Sequence, residues 1–274
     1  MTFKHIRAVI LDWAGTTVDF GSRAPVVALQ GVFEQAEVAV TAEEVRQGMG
    51  LLKKDHVRSI LQLPRVSAAW ESLHGTAPRE KDVERLFCEF VPAQADVLEQ
   101  YSSVIPGIAA AAERWRAAGL RIGGTTGYTR DLMEIVRAKA AEHGYAPDAS
   151  ITPDIVGGGR PLPFMMYRNA LDLRAWPLWA CVKIGDTPVD IHEGLNAGAW
   201  SIGVTETGNE VGLSEEEFAA LPNAERADRM QRAGAALCGA GAHFIARSVA
   251  ECDSLLEEID ARLAAGRGPW DQRA

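Results

Sequence analysis

The sequence predicts an α/β fold: a doubly wound parallel sheet interrupted by a helical insert. Three observations carry this prediction. Short apolar runs rich in β-branched or small residues recur along the chain, and segments of helical period lie between them. Residues 21–99 break that alternation with helical patterns alone. At 274 residues the chain suffices for one large domain or for a core plus a smaller one, and either buries a sizeable core.

The first strand is predicted at 6–11, a run with no polar alternation, as in a strand covered on both faces. Comparable runs follow at 120–125, 180–185, 200–205 and 242–246, with helices predicted between them at 108–118, 130–142, 163–173 and 189–197. Within the insert the periodicity predicts helices over 25–38, 42–61, 67–73 and 80–99. The chain thus divides into a core portion at 1–20, a helical cap at 21–99 and the main core at 100–274. The linkers fall near 20–23 and 101–107, the second marked by Ser102, Ser103, Pro106 and Gly107. The tail at 266–274 is expected to fray.

Lys and Arg number 28 against 37 Asp and Glu, a formal net charge of −9, so bulk electrostatics argue against a nucleic-acid partner. Cys88, Cys181, Cys238 and Cys252 are scattered without a CxxC pair, which argues against a zinc site or a disulfide framework. The apolar run at the N-terminus is too short for a signal peptide, and no stretch approaches a membrane span. A soluble, cytoplasmic protein is the expectation.

In a doubly wound sheet ligands bind beyond the carboxyl ends of the strands, where Asp12, Thr125–Thr126 and Asp186 fall. Asp12 precedes Gly15 and Thr16, a turn whose free N–H groups suit an anion, and its carboxylate can attack an electrophile. A helix-capping role is the competing reading. Asp186 ends a second strand, and Asp190 follows at helical spacing. Three converging acids make an oxygen-ligand set that suits Mg²⁺. The turn "GTTGYT" offers Thr126, Gly127 and neighbouring amides to phosphoryl oxygens, and Arg160 stands in a glycine-rich loop where a guanidinium suits phosphate.

In this order the four pieces resemble the haloacid dehalogenase superfamily, over nearly the whole chain. That resemblance implies a Rossmann-like core with an inserted helical cap, a nucleophilic Asp12 and bound Mg²⁺. Most phosphatases and mutases of the superfamily carry a second Asp two residues after the nucleophile, as acid and base. Here Ala14 stands there, so only its backbone carbonyl is available, for the metal. The combination "DWAGTTVD", "MGLLK", "TTGYTR", "GRPLP" and "GDTPVD" is similar to one branch, the phosphonoacetaldehyde hydrolases. Gly48 before "MGLLK", the all-glycine run before Arg160, and a second lysine, Lys54, depart from that branch.

The branch implies C–P bond cleavage through a lysine Schiff base. Carbon is a poor leaving group unless an electron sink such as a protonated imine receives its electrons. For a continuous helix, Val45, Met49, Leu52 and Ile60 share one side; Lys53 lies about 40° from its centre and Lys54 about 140°. Periodicity and motif therefore both choose Lys53. His56, three residues on, shares its face and is a candidate substrate contact that tunes the imine or relays protons beside it, and Met49 and Tyr128 are candidate walls of the substrate pocket. The resemblance further implies metal binding by Asp12, Ala14 and Asp186 with Asp190 behind them, a small phosphonate substrate, and a homodimer packed through caps. Rival readings are another phosphohydrolase of the superfamily, which Ala14 disfavours, and a non-catalytic phosphonate-binding protein, which would need no reactive amine.

Overall fold

In a computed structural model of the chain, which describes residues 2–272, the N-terminal apolar run forms β1 (Ala8–Leu11), buried at every position. Five helices follow before the chain returns to the sheet: α1 (Ala24–Gln35), α2 (Ala42–Arg46), α3 (Lys53–Leu61), α4 (Pro64–His74) and α5 (Glu80–Tyr101). Local sequence explains their ends. Proline occupies the first turn of α1 and α4, Thr41 and Glu44 form a capping box on α2, and left-handed Gly75 stops α4. These helices share a core of their own, which includes Leu29, Phe33, Val45, Trp70 and Phe90. Val83, Leu86 and Phe90 of α5 recur at helical spacing and form the seam against α1 and α3.

One predicted helix differs. The pattern over 42–61 reads as continuous, yet the helix is broken between Arg46 and Lys53. Gly50 in the break has φ +85°, and a Cβ there would meet Val189 and Thr187 at 2.5 and 2.6 Å. The break thus lies against the start of a distant helix, at Thr187 and Val189, a contact that local periodicity does not register.

The chain continues through α6 (Ile108–Ala117), β2 (Arg121–Thr125), α7 (Arg130–Glu142), β3 (Ala149–Ile151), α8 (Pro153–Val156) and α9 (Phe164–Asp172). It then runs through β4 (Cys181–Gly185), α10 (Pro188–Asn196), β5 (Trp200–Val204), α11 (Glu215–Ala220), α12 (Asn223–Gly239), β6 (Phe244–Ala246) and α13 (Asp253–Ala264). The sheet is six-stranded and parallel, in the order β3-β2-β1-β4-β5-β6. Its main apolar cluster joins Val9, Leu11, Ile122, Val182, Ile184 and Ile202 to the flanking helices.

β3 went unpredicted because three residues, two of them half-buried, carry no periodic signal. The charged α12, which buries only Ala233 and Leu237, was missed for the same reason. The tail expected to fray carries a 3₁₀ turn at Pro269–Gln272, with Trp270 edge-on to Trp179 at 6.3 Å; residues 273 and 274 lie outside the described residues. Strand order reverses at β1, so the carboxyl ends of β1 and β4 emerge side by side, with Leu11 paired to Ile184.

Candidate active site

Asp12 leaves the end of β1 and is 5% exposed. The turn after it folds back on itself, the amides of Thr16, Thr17 and Val18 all donating to the Trp13 carbonyl. Gly15, at φ +87°, passes so close to Asp186 that a Cβ would lie 2.4 Å from its Oδ2. Asp186 leaves β4 and is held on both oxygens: Thr16 Oγ1 donates to Oδ1 and the Asn209 amide to Oδ2, each at 2.8 Å. Asp190, in the first turn of α10, accepts from Thr187 Oγ1 at 2.6 Å and ion-pairs with Arg160 and Lys183, both at 2.9 Å.

One carboxylate oxygen each from Asp12, Asp186 and Asp190 lies within 4.8 Å of the others, a set able to hold a metal ion. Electrostatics fit a cation there. Burial, then Asp12 and Asp190, push the Asp186 carboxyl well above its ordinary range, and burial raises Asp12 against the pull of Arg160. Burial also opposes the charge on Asp190, but Arg160 and Lys183 outweigh it and its carboxyl titrates low. Three buried carboxylates, Asp12, Asp190 and Glu193, pair with Arg160 or Lys183, and buried Asp186 adds a fourth acid held by neutral donors; Lys53 is a third cation only while protonated. Among the described residues no hydrogen-bond donor reaches the Ala14 carbonyl, which leaves it available as a neutral oxygen ligand.

Asp12, Ala14, Met49, Lys53, Thr126, Gly127, Tyr128 and Arg160, all singled out from sequence, line one cavity of ≈ 20 Å³. Ser22, Pro25, Gly50 and Thr187 complete its wall; Gly50 and Thr187 belong to the "MGLLK" and "GDTPVD" motifs, whereas Ser22 and Pro25 carried no sequence signal of their own. The break between α2 and α3 packs against this wall: a Cβ on Gly127 would lie 2.5 Å from the Leu51 carbonyl oxygen, and one on Gly159 3.0 Å from Leu52 Cβ.

Lys53 opens α3 and is 2% exposed, its Nζ 5.1 Å from the centre of the Tyr128 ring. Burial pulls its pKa down to about 8, with Asp12 opposing and Arg160 assisting. Lys54 faces away, bridges Glu80 and Glu84, and is held above its ordinary range by them. Of this pair Lys53 is the buried amine although the continuous helix behind the angular argument is broken. His56 stands behind Lys53 and off the cavity wall: its Nε2 is 2.6 Å from the Val45 carbonyl, and burial with Lys53 nearby lowers its pKa to about 3. Burial also raises the Tyr128 phenol well above its usual range, so the ring meets Lys53 as a neutral wall.

Sequence reasoning passed over Thr125 as a side-chain partner, and Lys183 and Glu193 altogether; all three bond to one another, and Thr125 and Glu193 also bond to Arg160. Glu193 was recoverable, since it stands three residues after Asp190 on the same helix. A buried lysine inside an apolar strand gives no such signal.

The parallel sheet, the strand-end acids and the helical insert define a hydrolase class, and a profile of the haloacid dehalogenase-like hydrolases matches residues 6–198; the chain belongs to that family. Within it, the chain is 45% identical over 264 residues to a protein of Syntrophobacter fumaroxidans named phosphonoacetaldehyde hydrolase, covering 96% of this chain and 95% of that one. A Bacillus cereus protein of the same name is 43% identical over 255 residues, covering 93% and 97%. The crystal structure of a phosphonoacetaldehyde hydrolase-like protein from Oleispira antarctica superposes with a TM-score of 0.95 at 40% identity, over 98% of each chain.

Proposed function

We propose that this chain hydrolyses phosphonoacetaldehyde to acetaldehyde and phosphate. The observation that carries the reading is a buried amine, Lys53, sharing one small cavity with the strand-end Asp12, with Ala14 in place of a second acid. The names of the full-length relatives support the same substrate.

Lys53, its pKa lowered to about 8, supplies free amine near neutral pH to add to the aldehyde carbon, and loss of water gives the protonated imine. One carboxylate oxygen of Asp12 attacks phosphorus as the C–P bond breaks, and the bonding pair moves into the imine to give an enamine and an aspartyl phosphate. Water then releases phosphate from Asp12, while protonation of the enamine carbon and hydrolysis of the imine release acetaldehyde and restore Lys53. No alkoxide leaves, so no acid is required at position 14.

Arg160, Thr126 and Gly127 are the proposed phosphoryl contacts, Met49 and Tyr128 the walls around the aldehyde carbon, and His56 the support behind Lys53. Mg²⁺ is the proposed metal, held by Asp12, the Ala14 carbonyl and Asp186 with Asp190 behind them; when bound it supplies positive charge to the phosphoryl oxygens. A space of ≈ 20 Å³ admits little more than a water, so substrate needs residues 21–99, acting as a cap, to open and reclose. A homodimer packed through caps and a cytoplasmic location belong to the same reading; among the described residues no helix is long and apolar enough to cross a membrane.

The test is stoichiometric release of acetaldehyde and phosphate from phosphonoacetaldehyde by purified protein with Mg²⁺. Hydrolysis of phosphate monoesters without C–P cleavage would instead mark another phosphohydrolase of the family.

A further inference from the structure

Arg160 hangs from the loop between α8 and α9, so its aim must come from side-chain partners rather than from a helix or strand. Its guanidinium has four protein partners, which leaves one N–H of Nη1 without one among the described residues. Nη2 donates to Asp12 Oδ1 at 2.5 Å and to Thr125 Oγ1 at 2.8 Å, Nη1 lies 2.9 Å from Asp190 Oδ1, and Nε donates to Glu193 Oε2 at 3.1 Å. The Thr125 hydroxyl accepts from Arg160 and from Lys183 Nζ (2.7 Å) and donates to Glu193 Oε2 (2.9 Å). A hydroxyl has one proton and two lone pairs, so Thr125 is saturated and holds no capacity for a substrate oxygen. Lys183 also lies 2.9 Å from Asp190 and 3.1 Å from Glu193, so the acids behind Arg160 do not depend on it alone for a counter-charge.

From this geometry we infer that Glu193 and Lys183 are positioning residues: they fix the plane of Arg160 so that Nη2 points to the oxygen of Asp12 where the phosphoryl group arrives. The inference rests on the proposed reaction and adds to it a layer that touches neither substrate nor metal. Both residues stand on regular elements, β4 and α10, with side chains 0% exposed. Stability does not explain them, because a buried ion pair is often matched or bettered by apolar residues of similar volume. Orientation does, since a misplacement of about 1 Å at a reacting centre costs on the order of 100-fold in rate.

Two assays separate positioning from general damage. Labelling of Lys53 by acetaldehyde and borohydride reports the amine, and phosphate release from phosphonoacetaldehyde reports the phosphoryl half. For Glu193→Gln we expect labelling near the wild-type rate and phosphate release lowered by about 100-fold. The double variant Lys183→Met/Glu193→Leu removes one charge of each sign; we expect it to fold, to label, and to remain slow in phosphate release. Wild-type phosphate release by the double variant overturns the inference, as does parallel loss of labelling and release in both variants. If the wild type itself neither labels nor releases phosphate, the proposed reaction fails and this inference with it; wild-type activity with undiminished variants defeats the inference alone.

Discussion

Replacing Lys53 with methionine should abolish turnover and make the fold more stable. The amine is 2% exposed, and burial lowers its pKa from 10.5 to about 8. That drop, at about 1.4 kcal/mol per unit, means that holding the protonated amine in the native state costs about 3 kcal/mol. Methionine fills similar space without the charge. It forfeits the ammonium contact with the Tyr128 ring, which returns about 1 kcal/mol, so a net gain of about 2 kcal/mol is expected at pH 7. Between pH 8 and 10.5 the native protein binds fewer protons at Lys53 than the unfolded chain, so wild-type stability rises with pH there and the advantage of Lys53→Met shrinks toward zero. Urea unfolding of both proteins from pH 6.5 upward measures this directly. A variant no more stable at neutral pH, with a gap that does not change through the window, would refute the picture of Lys53 as a buried amine strained toward neutrality.

Further outcomes follow from the same site. Imine formation should rise with pH on a limb centred near pH 8, the pKa of Lys53, as read by borohydride trapping; a limb near pH 10.5 would mean an exposed amine. Chelator should silence phosphate release and Mg²⁺ restore it in the wild type, whereas Asp186→Asn should stay inactive after metal is returned; full activity in that variant would remove Asp186 from the metal set. Ala14→Asp should lower C–P cleavage, because a carboxylate there fills a cavity of ≈ 20 Å³ without supplying a needed proton; a clear gain would show that an acid had been limiting.

The parts of the site legible in the sequence were those tied to strand ends. Asp12 and Asp186 follow apolar runs that the sheet covers on both faces, so the fold class alone brought them together. Lys53 was reached through an angular argument over 42–61, and of Lys53 and Lys54 it is the buried one even though the helix breaks at Gly50. At the break Gly50 packs against Thr187 and Val189, more than a hundred residues away, and no local pattern reports such a contact. His56 shares the buried side of α3 as the spacing implied, yet its Nε2 faces Val45 and not the cavity. The ion network around Arg160 stayed hidden because Lys183 lies within an apolar strand and its partners come from two other segments, β2 and α10. Short β3 and charged α12 escaped because few of their residues are buried.

The central claim is that an amine on the helical insert, and not an acid beside the nucleophile, activates the leaving group. Incubation with phosphonoacetaldehyde and borohydride, followed by peptide mass mapping, tests it most directly. The account predicts a single reduced adduct at Lys53 and loss of phosphate release in step with labelling. An adduct at Lys54, or steady phosphate release with no adduct, would contradict it.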